Sequence, residues 1–150
     1  LLNSDEEAVG RLLKHPRSNI TLSDAGAHLT FFNDAGYGLY MLEKWVRENN
    51  LMSKEKAIYN LTGKQADIYR IDQRGRLVPG QYADMMLIDF DKVGVSKTYR
   101  VNDLPGGSSR LNIDGHGIHS VWINGEKVFN ENSLIYNKNL PGKVLRGFHA

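Results

Sequence analysis

The stretch "TLSDAGAH", residues 21–28, decides how the chain is read. Ile20-Thr21-Leu22 alternates apolar and polar residues, as a short strand does. It breaks off at Ser23-Asp24, and Gly26 and His28 follow. A carboxylate at the end of a buried strand has two explanations. It closes an Asx-turn or caps the next helix, for which Asp is well suited. Alternatively it stands on the C-terminal rim of an α/β barrel, where active sites are built. A rim carboxylate can bind a divalent metal or carry a proton, and Gly26 would let the chain turn away sharply.

The elements around this stretch favour an α/β beginning. Ser4 and Glu7 match a capping box, and Val9, Leu12 and Leu13 follow at helical spacing, so a helix is expected over 4–14. Pro16 stops it. A helix, a loop and a strand ending in Asp form half of a βαβ rhythm. Beyond a loop at 29–36, Leu39, Leu42, Trp45 and Val46 make an apolar stripe, with Glu43–Arg47 and Lys44–Glu48 as i, i+4 pairs. This predicts a helix over 38–50. A third helix, over 54–62, starts at a Ser53 cap and stops at Gly63.

The texture changes after about residue 70. "DQRGRLVPG" (72–80) is turn-rich, "ADMMLIDF" (83–90) is an apolar strand candidate and "DLPGGSSR" (103–110) is a loop. In "VWINGEKVF" (121–129), Asn124-Gly125 lies between apolar runs, the signature of a type I′ hairpin. The expected division is therefore an α/β part over 1–65 and a β-rich part over 66–150.

Composition narrows the function classes. The 150 residues are 41% hydrophobic, enough for a packed core. A net charge of +2, with basic residues scattered, gives no reason to expect a nucleic-acid partner. No apolar run approaches the ~18 residues of a membrane span, so no membrane partner is expected. Without cysteine, no thiolate metal site or disulfide can form within these residues. The first residues, Leu1-Leu2-Asn3-Ser4, carry neither a starting Met nor a signal pattern. They read as the interior of a longer, cytoplasmic protein.

Other constellations are weaker. His116 and His119 are spaced i, i+3, which on a strand points them to opposite faces. His15, His28 and His149 have no diagnostic spacing. "LTGKQ" (61–65) lacks the remainder of a phosphate loop, so Gly63 reads as a helix end. "PGGSSR" reads as an ordinary surface loop rather than an anion nest. The glycosylation sequons at Asn19 and Asn60 fall in expected secondary structure.

Three longer stretches carry a resemblance. They are "SDAGAHLTFFNDAGYGLYMLEKWVREN" (23–49), "AIYNLTGKQADIYRIDQRGRLVPGQYADMMLIDFD" (57–91) and "VWINGEKVF". Together they resemble the C-terminal part of the amidohydrolase superfamily. "RGRLVPGQYADMMLID" is common to the superfamily, whereas "SDAGAH" and "DLPGGSSRL" narrow the likeness to the N-acyl-D-amino-acid deacylase (D-aminoacylase) group.

The resemblance implies a metal-dependent (β/α)8 barrel with a small β-sandwich built from both chain ends. On that map, 1–65 would end the barrel and 66–150 would supply the C-terminal portion of the sandwich. The fragment alone would look α+β. Ile20–Ser23 would be the eighth barrel strand and Asp24 the aspartate at its end. There Asp24 would lie beside zinc, take a proton from the attacking water and pass it to the leaving amine. Zinc would lower the pKa of its bound water to about 7.

A barrel needs about 250 residues, and the family's H-x-H pair and its histidines from strands five and six are absent here. Asp24 alone cannot hold zinc, which takes about three protein ligands in catalytic sites. The expectation is thus a C-terminal fragment of an enzyme acting on small N-acyl-D-amino acids. By itself it would be inactive and inclined to form homo-oligomers or exchange strands. Two alternatives stand beside it: an amidohydrolase of cyclic amides, and a non-enzymatic α+β module.

Overall fold

The computed structural model describes residues 5–131, 133–136 and 140–146. Ser4 of the expected capping box and His149 lie outside them. The chain forms two compact units that interleave in sequence. The first comprises residues up to Ser53 with Phe90–Gly117, and the second Lys54–Asp89 with residues from Ile118 onward.

In the first unit, α1 (Glu6–Lys14) is capped by Asp5, whose side chain accepts the Ala8 backbone N–H at 2.9 Å. The expected apolar stripe is only partly buried. Gly10 is the buried residue of α1, and a Cβ there would meet Trp45 and Leu51, whereas Leu12 is 61% exposed. The helix therefore packs through its glycine face.

The second expected helix is present. It starts as a short α2 (Tyr37–Tyr40) and widens into a π-helix (Met41–Glu48) that buries Met41, Leu42, Trp45 and Val46. With Val93 these side chains form the unit's core. The expected ion pairs form, Glu43–Arg47 at 3.6 Å and Lys44–Glu48 at 3.7 Å. β2 (Gly94–Val95), which packs against the helix, pairs antiparallel with β5 (Gly115–His116), and β3 (Tyr99–Val101) pairs with β4 (Arg110–Asn112) in a separate two-stranded sheet.

The expected strand at Ile20–Ser23 is not formed. Residues 18–24 take irregular backbone, and Leu22 is 81% exposed. The reason is physical: a strand exists by pairing its N–H and C=O groups with a neighbour. Among the described residues no strand pairs with this segment.

In the second unit, α3 (Lys54–Leu61) is followed at once by α4 (Gly63–Tyr69), which the sequence reading missed. Gly63 does not end a helix but opens one. It is buried, and a Cβ there would press on the Tyr59 ring at 3.1 Å. Asn60 is also buried, which removes its sequon from the surface. The turn-rich segment leads to β1 (Met85–Ile88) of a four-stranded antiparallel sheet. The others are β6 (Ile118–Ile123), β7 (Glu126–Asn130) and β8 (Ser133–Leu134), in the order β1-β6-β7-β8.

The β6–β7 turn is the expected one. Asn124 and Gly125 both have positive φ, 50° and 84°, and Ile123 faces Glu126. Arg74 underpins it: its guanidinium stacks on Tyr82, pairs with Asp84 and donates to Asn124 Oδ1 at 2.6 Å. The chain is thus a small combination of helices and antiparallel sheets.

Candidate active site

Asp24 sits where the irregular segment turns. Its φ is 53°, in the left-handed region that Asp tolerates better than most residues. The turn is closed by its neighbour: Ser23 Oγ accepts the Ala25 N–H at 3.1 Å. The Asp24 carbonyl accepts the Ala27 N–H at 3.3 Å. The Asp24 carboxylate takes no part in capping among the described residues. It stands at the surface, its side chain 57% exposed, with His28 Nε2 4.0 Å from Oδ2.

His28, which spacing had given no role, is therefore the side chain brought to Asp24. Its own side chain is 51% exposed, and the ring leans on Phe31 with centroids 5.1 Å apart. At 4.0 Å the pair is beyond hydrogen-bond distance, and it attracts as an ion pair when the imidazole is protonated. Phe31 and Phe32 donate their backbone N–H groups to the His28 carbonyl at 3.0 and 2.9 Å, so the imidazole stands on an ordered turn.

The other described histidines make different contacts. His15 Nδ1 accepts the Arg17 N–H after α1. His116 lies on β5, 3.9 Å from Glu43, and His119 lies on β6 beyond a Gly117 with φ of 72°. The H-x-x-H spacing therefore does not even share a strand.

A metal would find two donors in Asp24 and His28. Catalytic zinc sites use about three protein ligands. No group of three such side chains is assembled among the described residues. These residues alone do not fit a complete metal centre.

Two further features bear on the site, and sequence reasoning missed both. Asn33 is 8% exposed; its Oδ1 accepts the Ala35 N–H at 3.0 Å and its Nδ2 donates to the Leu111 carbonyl at 3.1 Å. The only signal for it was an Asn-Asp-Ala-Gly turn pattern, which does not reveal a partner 78 residues away. Arg100 donates to the Thr30 carbonyl at 3.1 Å, again a partner distant in sequence.

The loop that narrowed the resemblance, 103–110, makes a turn at Pro105–Gly107. It is closed by Arg110, which grips both carboxylate oxygens of Asp103 at 2.7 Å. This hydrogen-bonded guanidinium holds the Asp103 carboxyl below the usual carboxylate range. Asp67 is held low in the same way by Arg76, at 2.6 Å. Both pairs are ties between loop and helix or strand, and neither involves Asp24.

Comparison with known proteins gives this geometry a setting. The model of the amidohydrolase family matches residues 2–129. An N-acyl-D-aspartate deacylase of Alcaligenes xylosoxydans xylosoxydans is 31% identical over 143 residues, 94% of this chain and 26% of that protein. An N-acyl-D-glutamate deacylase of the same organism is 30% identical over 95% of this chain and 27% of its own length. Among solved structures, N-acyl-D-glutamate deacylase from Bordetella bronchiseptica superposes with a TM-score of 0.56 at 26% identity. That match covers 83% of this chain and 25% of the other, which was solved with zinc and a phosphonate mimic of the tetrahedral intermediate. The chain thus spans about a quarter of the length of the relatives it matches. With the family model spanning residues 2–129, and relatives aligned along almost all of its length, the chain belongs to the amidohydrolase family.

Proposed function

We propose that this chain is the C-terminal part of a zinc-dependent amidohydrolase that hydrolyses N-acyl-D-amino acids, with Asp24 as its proton carrier. The observation that carries the proposal is the Asp24 carboxylate. Ser23 closes the turn in its place, and the carboxylate stands exposed with His28 as its ionisable neighbour. An aspartate whose only task was capping would spend its oxygens on backbone N–H groups.

The reaction is the addition of water to an amide followed by loss of an amine. Asp24 takes a proton from the water as its oxygen bonds to the acyl carbon. It then passes that proton to the amide nitrogen as the C–N bond breaks, leaving a carboxylate and a free D-amino acid. One group serves both transfers because the proton it gains is the one it gives. Zinc, as in the solved Bordetella relative, would supply polarisation of the carbonyl; among the described residues Asp24 and His28 are the donors near it, and the rest of the set would come from elsewhere in the enzyme.

The exposed Leu22, and the lack among the described residues of a strand paired with the segment before Asp24, support this placement. They are what a barrel strand looks like without the neighbours that would pair and cover it. In this reading residues 1–65 end the barrel and 66–150 belong to the sandwich. The relatives do not favour a cyclic amide as substrate, nor a non-enzymatic module.

The test is a substrate panel for the full-length enzyme: N-acetyl-D-aspartate, N-acetyl-D-glutamate, neutral N-acetyl-D-amino acids, their L-enantiomers and a hydantoin. Release of free D-amino acid, with little from the L-series, is expected. Ring opening of the hydantoin with no N-acyl hydrolysis would overturn the assignment.

A further inference from the structure

The segment that follows the Asp24 turn is held by a hairpin distant in sequence. Three ties from the β3–β4 hairpin land on the five residues after His28. Leu111 of β4 donates its N–H to the Leu29 carbonyl at 2.6 Å and accepts from Asn33 Nδ2 at 3.1 Å. Arg100 of β3, which faces Leu111 in the register, donates to the Thr30 carbonyl at 3.1 Å. One residue of the hairpin thus grips both ends of Leu29–Asn33.

We infer that Asn33 is a positioning residue for Asp24, acting through the clamp that Leu111 closes on this segment. The inference rests on the proposed role of Asp24. The path is short and continuous. Asn33 fixes one end of the clamp, and Leu29 the other. His28 precedes Leu29 directly, and its ring stands against the Asp24 carboxylate. The turn from Asp24 to His28 is itself closed by the Ala27 N–H on the Asp24 carbonyl.

Asn33 suits the task because it is buried and both ends of its amide are used. A buried hydrogen bond is expensive to leave unmade, so the amide holds its two partners in one arrangement. Without it the segment and the hairpin would be joined by the Leu111–Leu29 main-chain bond and the exposed Arg100 tie alone, and a proton carrier displaced by about 1 Å can cost a hundredfold in rate.

The variant that isolates this role is Asn33→Asp, made in the full-length enzyme. It keeps the acceptor used by Ala35 but sets an oxygen against the Leu111 carbonyl in place of the donor. The expected result is a fall in kcat of about tenfold to a hundredfold, with KM within about twofold. The same change placed on Asp24→Asn should then alter kcat by less than about twofold, because two residues acting as a unit do not add.

Equal losses in both backgrounds, or a lowered melting point with unchanged kcat, would overturn the inference and reduce Asn33 to a structural residue. If Asn33→Asp does not fold, Arg100→Met removes the neighbouring tie from an exposed position. It should show the same pattern at a smaller size, and additivity there overturns the inference equally. A single Asp24→Asn variant with full kcat would instead refute the role of Asp24 itself, so the two failures are read from different proteins.

Discussion

Glu43, in the middle of the π-helical segment, accepts the backbone N–H of Val95 at 3.0 Å, 52 residues further along the chain. The same carboxylate lies 3.6 Å from Arg47 and 3.9 Å from His116. Arg47 in turn donates to the carbonyls of Phe90 and Val93 at 3.1 and 2.5 Å. One helix turn thus fastens the start of the β2–β5 ladder from both sides.

This arrangement requires a glycine at 94. A Cβ there would lie 2.5 Å from the Glu43 carboxylate, which is held by Val95 and cannot swing away freely. Gly94→Ala should destabilise the protein by about 1–3 kcal/mol, the usual cost of overpacking. Gly38→Ala is the control: a Cβ at this position in α2 meets nothing within 4 Å, and the change should be neutral or mildly stabilising. Urea denaturation of the two variants gives the comparison, and equal effects would refute the contact argument.

At the β6–β7 hairpin the cost is different in kind. A side chain at 125 would meet nothing within 4 Å, yet φ is 84°. Gly125→Val should lower stability by at least about 1–2 kcal/mol through backbone conformation alone. Specific activity per folded molecule of the full-length enzyme should not change. A loss of kcat at an unchanged melting point would place this hairpin at the active site.

These two glycines show what the sequence could and could not reveal. The β6–β7 hairpin was legible because Asn-Gly between apolar runs is a local signal with a single geometric meaning. The α2–π helix was legible because Leu42, Trp45 and Val46 of the expected stripe are buried and two ion pairs repeat along one helix, although Leu39 is only half-buried and the buried Met41 was not singled out. Helix α4 was missed because it opens with Gly63 directly after Leu61-Thr62, where a glycine ordinarily reads as an end. The strand before Asp24 was legible as a pattern but is not formed, since a strand depends on partners that its own sequence does not contain. Asp24 was singled out from its place after that pattern. Asn33 and Arg100 were not, because their partners are 78 and 70 residues away.

The Asp103–Arg110 pair should make stability depend on acid. Its hydrogen bonds lower the folded-state pKa of Asp103. The stabilisation is therefore present above the unfolded value of about 3.9 and is lost as pH falls through the lower folded value. Asp103→Asn should lower the melting temperature at pH 7, and the gap to the parent should narrow towards about pH 2.5. A gap that is constant or widens in acid would contradict this account of the loop.

Zinc content tests whether the metal set lies within these residues. The isolated 150-residue chain should hold no stoichiometric zinc after dialysis and should not hydrolyse N-acetyl-D-amino acids, since its described residues gather no three-ligand group. Elemental analysis showing one tightly bound zinc per chain would contradict that.

If Asp24 carries the proton, the decisive variant is Asp24→Asn in the full-length enzyme. The amide is nearly the same size as the carboxylate but cannot take the water's proton. Its kcat should fall by about 10²–10⁴-fold with an unchanged melting temperature. A variant that folds normally and keeps a near-normal kcat would contradict it, and would leave Asp24 as a surface residue of the turn that Ser23 closes.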